Sequence, residues 1–302
     1  MCCLFGLIDM QHRFTGREKT AMMHALATAA EERGTDAAGI AYNTPGGLIV
    51  RKSPVPGHSL RFRLRNDTIT AMGHTRMTTQ GDQRWNRNNH PFLGAAGTDR
   101  FALAHNGVIY NDKELRREYA LPQTNIETDS YVAVQLIEKK RSLGFDSLQF
   151  AAEQVAGSFT FTVLDQRNNL FIVKGDSPLC LVHYPEIGLY LYASTEAILA
   201  HSLHMLRNPP WEAVKIDLGC GEIAKIDRRG VVTRGGFDAG SLYWGWPPCR
   251  SSLRRRSHRF EQEYIEDLKS VVSSFGYEPE MVDRWLACGH QPEEIEEFLY
   301  EM

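Results

Sequence analysis

The sequence predicts an α+β fold of stacked, mainly antiparallel sheets that carry outer helices. Two observations lead there. Many short strand-like segments follow one another with few helices between them, and turn signals such as Pro45-Gly46-Gly47 join neighbours into hairpins. A Rossmann-type alternation would need a helical segment between most strands. In chain order, Leu4–Ile8 reads as a buried strand and Thr20–Glu32, rich in Ala and Met, as a helix ended by Arg33-Gly34. Gly39–Tyr42 and Leu48–Arg51 flank the first hairpin turn. Phe101–Ala104 is a strand running into His105-Asn106-Gly107. Thr128–Leu143 reads as a helix, with apolar residues at Val132, Leu136, Ile137 and Leu143. Ser158–Asp165, Leu170–Val173, Cys180–Tyr184 and Gly188–Ala193 are successive short strands, and Glu222–Asp227 with Gly230–Arg234 is a further hairpin.

The 302 residues suit one large domain plus an appendage. Residues 2–235 form the main domain in this reading. Residues 236–259 are a linker, aromatic and Pro-rich around Trp244 and Trp246, then Arg-rich from Arg250 to Arg259. Residues 260–302 are an acidic helical tail in which only Lys269 and Arg284 oppose the Asp and Glu residues. Within the tail, Gly276-Tyr277-Glu278-Pro279-Glu280 is echoed by Gly289-His290-Gln291-Pro292-Glu293, each Gly suited to end a helix and each Pro to begin one. Val282, Trp285 and Leu286 share their i, i+3, i+4 spacing with Ile295, Phe298 and Leu299, which predicts three short helices counting one over 260–275. So small a tail buries little alone and is expected to pack on the main domain, a second copy or a partner.

Composition excludes several classes. A net charge of −3 argues against binding of polyanions by the chain as a whole. No uncharged apolar run approaches the ~18 residues of a membrane span, and no basic-then-apolar leader opens the chain. The expected location is the cytoplasm. The six cysteines, Cys2, Cys3, Cys180, Cys220, Cys249 and Cys288, form no CxxC pair, and no HExxH occurs. No disulfide, zinc ribbon or redox motif is expected.

Cys2 carries the chemical signal. Met1 is removable when the second residue is small, which would place a thiol and a free α-amine on one residue. An amine of pKa roughly 7.7–8.0 can serve as base for a thiol near 8.5. Amide cleavage by that thiol needs donors at the developing oxyanion, and Asn106-Gly107 after a buried strand offers a side-chain amide and a backbone N–H. An amino-acid substrate needs its carboxylate and ammonium held. Arg76 suits the first by its planar fork and Asp129 the second by its charge. Singly, Arg76 also suits a surface ion pair, and Asp129 a helix cap.

Together these residues resemble a known family. Met1-Cys2-Cys3-Leu4-Phe5-Gly6, Arg33-Gly34-Thr35-Asp36-Ala37-Ala38-Gly39, Gly73-His74-Thr75-Arg76, His105-Asn106-Gly107 and Glu127-Thr128-Asp129 stand in the order and rough spacing of class II glutamine amidotransferase domains, which are N-terminal-nucleophile hydrolases. Asp176-Ser177-Pro178-Leu179, Ala193-Ser194-Thr195-Glu196-Ala197 and Leu218-Gly219-Cys220-Gly221-Glu222-Ile223 continue the resemblance to about residue 235. It implies a four-layer αββα sandwich and glutaminase chemistry without a cofactor. Cys2 would attack the γ-amide of glutamine, Asn106 and Gly107 would form the oxyanion hole, and Arg33 and Gly34 would shape the pocket beside the nucleophile. Arg76 and Asp129 would bind the α-carboxylate and α-ammonium, with Thr79 and His90 lining the pocket.

The chain departs from the family at Cys3, where Gly is usual, at Met77-Thr78, where Trp-Ala is common, and at Gln80, where His is common. The expected activity is hydrolysis of glutamine to glutamate and ammonia, the ammonia being available to a separate acceptor protein. Two alternatives are hydrolysis of another γ-glutamyl amide or peptide, and a degenerate scaffold whose tail binds nucleic acid or a partner. Self-association through the tail is a further expectation. Otherwise neither nucleic acid nor a membrane is an expected partner.

Overall fold

The structure, a computed structural model, describes residues 2–206, 211–240, 242, 265, 269, 272 and 278–287. The chain divides into two compact units, Met1–Pro248 and Cys249–Met302. In the first unit the elements run β1 (Cys3–Asp9), α1 (Gly16–Ala29), β2 (Ala37–Thr44), β3 (Gly47–Ser53), β4 (Thr70–Arg76), β5 (Phe92–Ala96), β6 (Asp99–Ile109), α2 (Asp112–Glu118), α3 (Tyr131–Lys139) and α4 (Phe145–Gln154). They continue with β7 (Gly157–Asp165), β8 (Leu170–Lys174), β9 (Cys180–Tyr184), β10 (Leu189–Ala193), α5 (Glu196–Met205), β11 (Val214–Ile216), β12 (Glu222–Ile226) and β13 (Val232–Gly236).

The strands form two antiparallel sheets. One has the order β11-β9-β10-β1-β4-β2-β3, the other β13-β12-β8-β7-β6-β5. Alternation along β1 explains the layering. Leu4 and Ile8 join Met72, Ala104, Ile172 and Tyr192 in a core between the sheets. Cys3, Phe5 and Leu7 face the other way, into a core with Met23 and Leu26 of α1 and Ile198 and Leu199 of α5. The second sheet turns Leu103, Phe159 and Phe161 toward Val132 and Leu136 of α3 and Leu148 of α4. The result is helix, sheet, sheet, helix, an αββα sandwich as the sequence predicts. Each fully buried Phe or Leu in these layers contributes about 1.5–3 kcal/mol.

Two elements differ from expectation. The first helix begins at Gly16, not Thr20, because Thr15 and Glu18 form a capping box, with Glu18 N–H donating to Thr15 Oγ1 (3.3 Å) and Thr15 N–H to Glu18 Oε2 (2.8 Å). The helix expected over Thr128–Leu143 is confined to Tyr131–Lys139. Ser130 is its N-cap, and Arg141, at φ 57°, has left the helical region. Strands β4, β5 and β11 and helices α2, α4 and α5 are additional to those read from sequence.

The second unit shows α6 (Glu280–Ala287), which covers Val282, Trp285 and Leu286 as the repeat predicts. Val272 and Val282 are buried together, with Ile265, Trp285 and Leu286 packed against them. The rest of the tail repeat, most of the helix expected over 260–275, Trp244, Trp246 and the arginines from Arg250 to Arg259 lie outside the described residues. Among the described residues no helix is long and apolar enough to cross a membrane.

Candidate active site

One end of the two-sheet stack gathers the chemistry. Cys2 precedes β1, Arg76 closes β4, and Gly107 lies on β6 shortly before its end at Ile109. Pairing sets Cys3 against Thr75 and Ala37 against Arg76, which brings the start of the chain beside the end of β4. A polar hollow here is lined by Cys2, Arg76, Met77, Thr79, Gln80, His90, His105, Gly107, Thr128, Asp129 and Ser130. Its cavity volume of about 10 Å³ is close to that of a single water site. Six of the nine residues singled out from sequence therefore share one wall: Cys2, Arg76, Thr79, His90, Gly107 and Asp129.

The other three stand just outside it. Arg33 Nε donates to the Cys2 carbonyl (2.9 Å) and so holds the main chain of that residue. Gly34 lies against the backbone at Arg76 and Met77. A Cβ added there would fall 2.5 Å from the Arg76 carbonyl carbon and 2.6 Å from Met77 N, so only glycine lets the two segments approach so closely. Asn106 is 1% exposed, and its Nδ2 has no hydrogen-bond partner. A buried amide left unpaired costs about 1–3 kcal/mol, and this one is next in sequence to a wall residue. Gly107 has φ 140°, and a Cβ there would sit 1.9 Å from the Ser158 carbonyl oxygen.

Cys2 is partly exposed, and its thiol donates to the Met77 carbonyl (3.6 Å). Burial of the sulfur pushes its pKa up, opposed by a hydrogen bond with the Met77 main chain and by the Arg76 charge. Cys3 is different. It is fully buried toward α1 and α5, and desolvation pushes its thiol up to about 11. The side chain that replaces the family's glycine therefore fills the outer core and leaves the hollow unobstructed.

Asp129 does not cap α3. Its Oδ2 accepts from Ile109 N–H (2.7 Å), and its Oδ1 accepts from Ser130 Oγ (3.3 Å), which in turn lies 2.8 Å from His105 Nδ1. The carboxylate is thus fixed between β6 and the start of α3. Nor does Arg76 form a surface ion pair. It is 3% exposed and, among the described residues, has no carboxylate partner.

Sequence reading missed the group of His74, His90 and His105. His74 and His90 have ring centroids 4.2 Å apart, and His90 and His105 6.4 Å. His74 Nε2 donates to the His105 carbonyl (2.9 Å). Desolvation depresses all three, His74 to about 3, so all are neutral at physiological pH. Both ring nitrogens of His90 lack partners. The available signal was alternation: His74 and Arg76 share a strand face, as do Thr70 and Met72. Among the described residues no group of His, Cys, Asp and Glu is arranged to hold a metal. The four described cysteines are free.

The arrangement offers a thiol, an unpaired amide donor, a buried guanidinium and a fixed carboxylate around one small space. Residues 74–200 match the sequence profile of a glutamine amidotransferase domain. The chain is similar to the glutamine–fructose-6-phosphate aminotransferases (isomerizing) of Bacillus cereus, 33% identical over 187 residues, and Staphylococcus epidermidis, 35% identical over 188 residues. Both matches cover 59% of this chain and 30% of the relative. The enzyme of the same name from Halobacterium salinarum is 30% identical over 210 residues, covering 67% of this chain and 33% of the relative. The match thus spans about a third of these relatives' length. Among solved structures, the allosteric regulatory enzyme of purine biosynthesis superposes with a TM-score of 0.61 at 20% identity, and the glutamine phosphoribosylpyrophosphate amidotransferase of Bacillus subtilis with 0.59 at 20%. Each covers 78% of this chain and 49% of the other, and at that identity the likeness speaks for the fold.

Proposed function

Because the chain carries a class II glutamine amidotransferase domain, we propose that residues 2–235 hydrolyse the γ-amide of glutamine with Cys2 as nucleophile once Met1 is removed. The observation that carries this is the convergence of Cys2, Arg76, Gly107 and Asp129 on one hollow, with the unpaired amide of Asn106 beside it. In the proposed reaction the Cys2 sulfur bonds to the γ-carbonyl carbon as its proton passes to the Cys2 α-amine. The C–N bond then breaks, the proton leaves with ammonia, and a γ-glutamyl thioester remains. Water, deprotonated by the same amine, attacks the thioester to give glutamate and restore the thiol. Burial disfavours a resident thiolate, so removal of the proton during attack is the economical route at neutral pH. Asn106 Nδ2 and the Gly107 backbone would hold the oxyanion, Arg76 the α-carboxylate and Asp129 the α-ammonium.

Met77, Thr79 and Gln80 line the hollow, so entry of glutamine would displace the segment from Met77 to Gly81. Its contacts are specific. Thr78 N–H donates to Asp36 Oδ2 (2.7 Å), and the carbonyls of Gln80 and Gly81 accept from Arg76 Nη2. Ammonia would be available to an acceptor protein. The test is intact mass and turnover on one preparation: protein beginning at Cys2 releases glutamate from glutamine, and protein retaining Met1 does not. A panel of γ-glutamyl amides and peptides separates the substrates, and processed protein inert toward all of them would refute the proposal.

A further inference from the structure

Asn89 sits where three parts of the site meet, yet it does not line the hollow. It is 1% exposed. Its Oδ1 accepts from Arg76 Nη1 (2.7 Å), and its Nδ2 donates to the Gln83 carbonyl (2.7 Å). That orientation of the amide is dictated, because a guanidinium only donates and a carbonyl only accepts. The Asn89 backbone carbonyl accepts from Lys52 Nζ, which also donates to the Pro91 carbonyl (3.1 Å). Lys52 is pushed down to about 8 by desolvation and by the nearby Arg76 charge. Two carbonyls need two donors, which the amine still supplies when neutral, although less strongly than when charged.

The Arg76 donors can be accounted for in full. Both protons of Nη2 go to the carbonyls of Gln80 and Gly81 (2.8 Å to the latter), and one proton of Nη1 goes to Asn89. Nε–H and the second Nη1–H remain for a ligand. Either two-pronged grip on a carboxylate, end-on or side-on, uses an Nη2 proton. A carboxylate can be gripped that way only after the Gln80 and Gly81 carbonyls yield Nη2. While they do so, the Asn89 contact on Nη1 is the one that keeps the guanidinium plane in place.

We propose that Asn89 is a positioning residue for the substrate α-carboxylate, holding one edge of Arg76 while the Met77–Gly81 segment exchanges its carbonyls for the ligand. The inference rests on the proposed glutaminase reading. It acts on binding, so it is separable from the chemistry. Removing a hydrogen bond to a buried charged group weakens binding ~10–100-fold. Asn89→Ala is therefore expected to raise the glutamine KM by that factor with kcat little changed. It should weaken glutamine binding to the full-length Cys2→Ala protein by a similar factor in calorimetry. In an Arg76→Lys background the same change should add less than ~3-fold, since Asn89 acts through the guanidinium. Asn89→Asp, which keeps the volume, should also raise KM because its carboxylate competes for Arg76. An unchanged KM and Kd in Asn89→Ala, or a loss of kcat at constant KM, would overturn the inference. Glutamine that binds to the Cys2→Ala protein but is not turned over by the processed protein would instead count against the reading on which it rests.

Discussion

Two hollows of this molecule differ in size and in chemistry. The larger, about 180 Å³, lies between α1, α5 and the β9–β10 side of the first sheet and is lined by Phe14, Met22, Tyr184, Leu191, Leu203 and Trp211 among others. The smaller, about 10 Å³, holds Cys2, Arg76, His90 and Asp129. Volume alone would direct attention to the first. Its walls are almost wholly apolar, with few groups to orient a polar substrate or move a proton. The second has buried polar atoms without partners, a buried cation that no carboxylate pairs with among the described residues, and a thiol at its rim. Unpaired buried polarity, not room, marks where a substrate can repay what folding left unsatisfied.

Substitutions can break that contrast, beginning with the largest effect. Cys2→Ala is expected to lower glutamine turnover at least ~10³-fold, since the covalent route is lost. A steady-state glutamate assay at saturating glutamine checks this, and turnover near wild type would place the chemistry elsewhere. Asn106→Ala should lower kcat ~10²–10³-fold with little change in KM, as expected for a donor engaged only in the transition state. A rise in KM alone would make Asn106 a ground-state contact. Met22→Ala, in the wall of the larger hollow, should cost about 2–5 kcal/mol of stability in a denaturant titration while leaving KM and kcat unchanged. Altered kinetics there would erase the distinction between the two hollows.

Cys3 gives the smallest and most selective prediction. Its thiol is raised from an ordinary value of 9.0 to about 11 in the folded protein. An acid raised by folding holds its proton more tightly in the native state. Its contribution to stability is therefore present below about pH 9 and falls as pH rises toward 11. Cys3→Ala should lack that part of the alkaline decline seen by thermal melts between those limits. Identical alkaline profiles would show that the Cys3 thiol is not desolvated.

Much of the fold was legible where local chemistry and tertiary context agree. β1, the β2–β3 hairpin and the run β7 to β10 alternate or are continuously apolar as buried strands should be. β4 was not recognised, because Thr70, His74 and Arg76 are polar yet buried, and Gly73 weakens the strand pattern. Arg76 lines the site and His74 stacks on His90 beside it, so the departure from strand-like sequence at that end of β4 is itself a mark of function. α5 was missed although Thr195 caps it, its side chain accepting from Ile198 N–H (3.2 Å). In the site, Cys2, Arg76, Gly107 and Asp129 could be named because each sits in a short motif. Asn89, Lys52 and His74 carry their roles only through contacts between distant segments. Lys52 on β3 and Arg76 on β4 meet at Asn89, which no local spacing encodes.

If the Cys2 thiol works on a γ-glutamyl substrate bound in the small polar hollow, a glutamine mimic should find it there. The most direct measurement is peptide mass spectrometry of the processed protein after treatment with a glutamine-mimicking electrophile, with and without excess glutamine. We expect a single adduct on Cys2, suppressed by glutamine, with Cys3, Cys180 and Cys220 unlabelled. Labelling of Cys2 that glutamine does not suppress, or adducts mainly on another cysteine, would contradict it.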